Sequence, residues 1–143
     1  MKKHNDPERF VAAQKRDYDR ALAEIRAGRK RSHWMWYIFP QLKELGYSFN
    51  AKFYGINGPD EARAYLAHPV LGPRLIEISE ALLELDGSDP EAVMGQVDAL
   101  KLRSCMTLFA CVSGDGSVFR RVIDKYYGGE PDKETLALIG MKY

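Results

Sequence analysis

The stretch from residue 6 to residue 28, DPERFVAAQKRDYDRALAEIRAG, has the spacing and the end signals of one long amphipathic helix. Asp6 is a suitable N-cap, Pro7 suits the first helical position, and Gly28 suits the C-terminal end. At about 100° per residue, one stripe roughly 120° wide collects the apolar side chains. These are Phe10, Val11, Tyr18, Ala21, Leu22 and Ile25. The sequence therefore predicts a helix that buries one face.

Similar end signals recur along the rest of the chain, where no stretch shows period-two alternation over strand length. Helices are predicted from Gly58 to before His68-Pro69 and from Pro73 to about Asp86, and a short turn is predicted at Asp89. Further helices are predicted from Asp98, as the cap, to about Val112 and from Ser117 to Tyr127. A last helix is predicted over Lys133 to Ile139, with Asp132 as its cap. We expect an all-α fold, a single compact multi-helical domain over residues 1–143 with about six to eight helices. Residues 46–56 are expected to be a short irregular or extended segment.

Length, charge and cysteine content restrict the class of protein. The 143 residues suffice for one domain, and a net charge of +1 excludes a polyelectrolyte role, so extensive nucleic-acid binding is not expected. Cys105 and Cys111 are too far apart on one helix for a disulfide and match no zinc pattern, so neither a metal nor a cofactor is predicted. The N-terminus leads into no apolar run, which predicts no signal peptide, no membrane segment and a cytoplasmic protein.

The densest chemical feature is residues 26–41, RAGRKRSHWMWYIFPQ, where a basic cluster runs into an aromatic segment. In one interpretation, the cations complement the dipole at the end of the first helix and the aromatic side chains form core. In the other, Arg29, Lys30 and Arg31 donate charge-assisted hydrogen bonds to phosphate or carboxylate, and a tryptophan provides a face for a flat ring.

Two polar residues fall at apolar positions of predicted helices. Lys101 projects toward the apolar side of the helix that starts at Asp98, and therefore either reaches solvent along its stem or lines a pocket. Gln14 lies within the apolar stripe of the first helix, either as a satisfied core amide or facing a cavity. The candidate ligand-binding set is Gln14, Arg29, Lys30, His33, Trp34, Trp36, Tyr54 and Lys101. His33 and Asp98 are the candidate catalytic groups.

The chain resembles a family of small bacterial proteins of unknown function that is sometimes labelled calpastatin. The resemblance rests on residues 28–41 and continues through Tyr54-Gly55-Ile56, residues 71–75, 98–102 and 106–109, and Lys125-Tyr126-Tyr127-Gly128-Gly129. It implies a compact helical fold and discloses no activity. The calpastatin label does not suit an aromatic chain without repeats, because that inhibitor is disordered. A fainter resemblance links the chain to helical N-glycosidase-like proteins that process NAD and ADP-ribose.

Two functional hypotheses follow from these features. The first is a pocket for an anionic, ring-containing small molecule such as a nucleotide or an ADP-ribose derivative, with or without hydrolase or N-glycosidase-like activity. The second is a non-catalytic module that docks a protein or a short single-stranded nucleic acid. Convergence of Gln14, His33, Trp36 and Lys101 on one cavity favours the first, whereas Trp34 and Trp36 on a convex surface favour the second.

Overall fold

The long amphipathic helix at the start of the chain is present as α1 (Glu8–Arg26) in the computed structural model, which describes residues 6–143. The Asp6 carboxylate accepts a hydrogen bond from the backbone N–H of Glu8 at 2.9 Å. Beyond the helix, Gly28 has a φ of +84°, a left-handed conformation that favours glycine, and its N–H donates to the carbonyl of Ile25. The predicted stop signal is confirmed, whereas the helix begins one residue later than predicted, with Pro7 in the cap position and Asp6 just before it.

Eight further α-helices follow in the described part of the chain, which confirms the all-α prediction. They are α2 (Met35–Ile38), α3 (Phe49–Phe53), α4 (Pro59–Ala67), α5 (Leu71–Glu84), α6 (Pro90–Met94), α7 (Gln96–Cys111), α8 (Val118–Tyr127) and α9 (Lys133–Ile139). The total of nine exceeds the expected six to eight because the short helices α2 and α3 carry no clear sequence signal. Residues 1–5, which contributed to the signal-peptide expectation, lie outside the described part.

The core is built where α7 and α5 meet their neighbours. Helix α8 packs against both α5 and α7, while α5 also packs against α1 and α4. Helix α7 is apolar around most of its circumference and contributes Leu102, Met106 and Phe109, each fully buried. Burial of such side chains is the main favourable term in folding. In the N-terminal half of α7, Val97 and Leu100 remain exposed at the surface.

Residues 46–56, expected to be irregular or extended, instead contain the helix α3, and the extended part is confined to a bridge at Ile56. A 3-10 turn at Lys43–Leu45 precedes α3, and Ser48 caps α3 by accepting a hydrogen bond from the N–H of Ala51. Leu42 and Ile56 then form an isolated parallel β-bridge. A Cβ at Gly55 would lie 2.4 Å from the Cα of Lys43, so the bridge needs glycine for this close approach.

We expect Gly55→Ala to lower the free energy of unfolding by about 1–3 kcal/mol, because the added methyl group meets backbone atoms that must shift. Urea denaturation followed by circular dichroism measures this change. The matched control is Gly87→Ala, since a Cβ at the exposed Gly87 meets no atom within 4 Å. Equal stability of the two variants would show that the bridge tolerates a side chain at position 55.

The predicted start of α7 is wrong, with a consequence for the site. Asp98 was expected to cap α7, but the helix begins at Gln96 with Gly95, φ +87°, in the cap position. Asp98 therefore lies within the first turn of α7 and its carboxylate is free to pair with side chains. The capping predictions for Ser117 and Asp132 are confirmed, because their side chains accept hydrogen bonds from Arg120 and Thr135. No helix in residues 6–143 has the length and apolarity of a bilayer span.

Candidate functional site

Two lysines and one aspartate form a cluster at the N-terminal end of α7. The Lys30 ammonium lies 2.9 Å from one carboxylate oxygen of Asp98, and the Lys101 ammonium lies 3.9 Å from the other. The Lys30 side chain is 8% exposed, whereas that of Lys101 is 29% exposed. Lys30 also donates a hydrogen bond to the carbonyl of Ser32 at 2.6 Å. Lys30 is thus firmly engaged, and Lys101 is the looser and more accessible cation.

The carboxylate of Glu24 positions the loop that contains Lys30. It accepts hydrogen bonds from the N–H groups of Arg31 and Ser32 at 2.7 and 2.9 Å, from the Ser32 hydroxyl, and from the Trp34 indole at 3.0 Å. Burial alone would raise the pKa of Glu24, but these hydrogen bonds outweigh it and lower the pKa to about 2. The N–H of Lys30 donates to the carbonyl of Val93, which fixes the loop to α6.

Beside Lys101, an enclosed cavity lies between α2, α3 and α7. It is lined by Met35, Trp36, Phe39, Gln41, Ala51, Tyr54, Gly55 and Lys101. The Lys101 ammonium lies 5.9 Å from the ring centroid of Trp36, within the range of a cation–π contact. The cavity volume is about 10 Å³, room for about one water molecule. An aromatic ligand therefore does not fit inside the cavity as it stands.

On the solvent side of Lys101, an open groove runs along the surface between α7 and the start of α9. Its volume is about 320 Å³, near the lower end of typical ligand sites. It is lined by Gln41, Leu45, Val97, Leu100, Lys101, Arg103, Ser104, Asp132 and Glu134. Lys101 and Gln41 line both spaces, so they lie at the junction between the cavity and the groove.

The structure brings together some of the predicted site residues. Lys30 and Lys101 meet at Asp98, and Trp36 and Tyr54 line the cavity beside Lys101. Four members of the candidate ligand-binding set and one candidate catalytic group thus lie in one region, held by α2, α7 and the segments around residues 30 and 54.

Other predicted residues lie elsewhere. Trp34 is 1% exposed and its indole is bonded to Glu24, so it is a core side chain. The buried amide of Gln14 donates to the carbonyl of Tyr37 at 2.8 Å and to the hydroxyl of Tyr65 at 3.0 Å. Both match the core interpretation of these residues. Arg29 and His33 are exposed and line neither the cavity nor the groove.

The comparisons with known proteins identify the family. Residues 4–139 match a family described as proteins of unknown function, DUF1810. The chain belongs to this family. The chain is also similar to a solved structure, that of the conserved hypothetical protein Rv1873 from Mycobacterium tuberculosis. The identity is 47%, the match covers 96% of this chain and 98% of that chain, and the TM-score is 0.92. A search of curated proteins gives no match.

Three residues of the site were not predicted from the sequence. The site is organised or lined by Glu24, Gln41 and Arg103, yet these residue types are common on protein surfaces. The carboxylate of Glu24 turns toward the loop that follows the first helix.

Proposed function

We propose that this protein binds a small anionic, ring-containing molecule, such as a nucleotide or an ADP-ribose derivative, in the groove beside Lys101. The observation that carries the proposal is the position of Lys101 at the junction of the cavity and the groove, in a cluster with one more cation than anion. The faint resemblance to proteins that process NAD and ADP-ribose supports the same class of ligand.

The charge balance of the cluster supports an anionic ligand. Asp98 carries one negative charge and faces two ammonium groups, and the shorter ion pair is with the buried Lys30. This leaves Lys101 with a contact of 3.9 Å that an incoming phosphate or carboxylate oxygen would replace by a closer one. Charge-assisted hydrogen bonds to such oxygens are roughly twice as strong as neutral ones.

The surroundings of Lys101 support a ring in the ligand. Trp36 is half-buried beside the ammonium, and the α7 side chains Val97 and Leu100 are exposed along the groove. A flat ring placed over Val97 and Leu100 would remove their surface from water while its anionic group meets Lys101, beside Trp36. The groove is therefore the place for the ring, since the cavity holds about one water molecule.

The proposal is limited to binding. Asp98 is held by two ammonium groups, and His33 is exposed outside the linings of the cavity and the groove. A general acid or base must reach the proton that it transfers. Hydrolase or N-glycosidase-like chemistry would thus need a different group.

We expect Lys101→Ala to weaken binding of adenosine monophosphate (AMP) about tenfold or more, because it removes the cation that meets the phosphate. The melting temperature of the free protein should change little, since the ion pair it breaks is long and partly exposed. Isothermal titration calorimetry and thermal shift measure the two effects. Lys15→Ala, an exposed lysine on α1, is the matched control and should bind as the wild type does.

Tryptophan fluorescence provides a second readout for the place of binding. The chain contains two tryptophans, and the buried Trp34 lies outside both linings. Binding in the groove should change the emission of the wild type, and this change should be lost in Trp36→Phe. Failure of AMP and ADP-ribose to bind would refute the proposal. Tight binding of a single-stranded oligonucleotide that is lost in Arg29→Ala would instead favour the docking-module hypothesis.

A further inference from the structure

The two walls of the groove carry opposite charges. Lys101 and Arg103 lie on the α7 wall, and Asp132 and Glu134 lie at the start of α9. The four charged side chains therefore sum to zero. We infer that the groove accepts one negative charge and discriminates against further ones, so that the ligand carries a monoanionic group such as a phosphodiester or a carboxylate. This inference rests on the proposed function.

On the cationic wall, Lys101 is the residue whose charge is available to contact an anionic ligand. The Arg103 side chain donates from Nε to the carbonyl of Glu130 at 2.8 Å, and its guanidinium lies 5.6 Å from the ring centroid of Tyr127. Arg103 is thus directed toward the connection between α8 and α9. An anionic group in the groove meets the ammonium of Lys101 first.

On the opposite wall, the charge of Asp132 is fixed in place. One carboxylate oxygen accepts hydrogen bonds from the Ser104 hydroxyl at 3.2 Å, from the N–H of Thr135 at 3.0 Å and from the Thr135 hydroxyl at 2.6 Å. Because Thr135 is fully buried, the carboxylate cannot rotate away from an approaching anion without breaking these bonds. Glu134, exposed beside it, adds a second negative charge.

The expected discrimination follows from Coulomb's law. A second ligand charge at about 8 Å from one carboxylate is disfavoured roughly 2-fold at the dielectric constant of water and roughly 30-fold at a value typical of a protein surface. Lys101, already matched by the first charge, does not compensate for the second. Glu134 thus acts as a specificity-determining residue, and Asp132 does so in addition to capping α9.

The test is a ladder of adenine compounds with the same ring and increasing charge, titrated calorimetrically at about pH 8. The members are adenosine, the methyl ester of AMP, AMP and ADP; the ester and AMP form the matched pair, since one methyl group removes one charge. We expect the ester to bind wild-type protein at least about 3-fold more tightly than AMP, and adenosine to bind more weakly than the ester.

The variant Glu134→Lys should shift this order toward the more highly charged compounds. It replaces a negative charge by a positive one, so AMP and ADP should gain more affinity than the ester does, by roughly 3-fold or more. Glu80→Lys is the matched control, because Glu80 is exposed on α5 and lines a separate groove. The order of affinities in this control should remain that of the wild type.

The possible results separate the two proposals. Wild-type affinity that rises steadily from adenosine to ADP would overturn the inference and leave the proposed function standing. The inference would also be overturned if Glu134→Lys and Glu80→Lys changed the relative affinities for the four compounds equally. The net charge of the protein, and not the charge of the groove wall, would then explain the change. Absence of binding by every member would refute the inference together with the proposed function.

Discussion

Replacing Asp98 with alanine is expected to lower the free energy of unfolding by about 3–5 kcal/mol, although Asp98 is itself partly exposed. The reason is Lys30, whose side chain is 8% exposed and whose ammonium lies 2.9 Å from the Asp98 carboxylate. Removing one partner of a buried pair leaves the other without its counter-charge, and the Lys30 ammonium would keep its hydrogen bond to the carbonyl of Ser32. Urea denaturation at neutral pH, followed by circular dichroism, measures the loss. Asp19→Ala, on the exposed face of α1, is the control and should change stability by less than about 1 kcal/mol.

A double variant separates the cost of the unpaired charge from the loss of contacts. Lys30→Met with Asp98→Asn removes both charges and keeps the two side chains similar in size, so it should be more stable than Asp98→Ala. Because Lys101 is retained, the double variant should still bind the methyl ester of AMP. An Asp98→Ala variant as stable as the wild type would show that Lys30 does not depend on the pair.

The helices could be predicted from the sequence because their signals are local. Periodicity, caps and stop residues within ten to twenty positions defined α1, α4, α5, α8 and α9. The start of α7 could not be predicted, since Gly95 takes the cap position in place of the more usual aspartate. The short helices α2 and α3 are one turn or little more, and such lengths depend on tertiary packing.

The burial of charged side chains could not be predicted from the sequence, because the partners of these side chains are distant along the chain. Arg9 is nearly fully buried and donates hydrogen bonds to the carbonyls of Phe53 and Gly55 and to the carboxylate of Glu61. These partners are 44 to 52 positions away. Asp17 is likewise buried and accepts a hydrogen bond from Tyr37, whose pKa is raised by burial and by this bond. Helical periodicity gives the positions of Arg9 and Asp17 on the first helix, but it does not identify the groups that compensate their charges.

The candidate site was predictable in part for the same reason. Asp98 and Lys101 are three positions apart on one helix, a spacing that brings side chains together. That Lys30 completes the cluster depends on the path of the loop after α1, which Glu24 and Val93 determine. The basic run of residues 29–31 did not reveal which cation would enter a site, and the fold turns Lys30 inward and leaves Arg29 and Arg31 exposed.

The loop that carries Lys30 should respond to the loss of its acceptor. We expect Glu24→Gln to lower the free energy of unfolding by about 2–3 kcal/mol at neutral pH, because an amide cannot accept all four hydrogen bonds of the carboxylate. Chemical denaturation measures the loss, with Glu84→Gln, an exposed glutamate of α5, as control.

The pH dependence tests whether the carboxylate charge is responsible. A carboxyl group with a lowered pKa in the folded state contributes stability that is complete above its unfolded pKa of about 4.5 and is lost as the pH falls toward about 2. The difference between wild type and Glu24→Gln should therefore be constant from about pH 7 to 5 and shrink between about pH 4.5 and 2. A difference that stays constant down to about pH 2 would show that the ionised Glu24 does not hold the loop. In that case the position of Lys30, and with it the charge balance at Lys101, would need another cause.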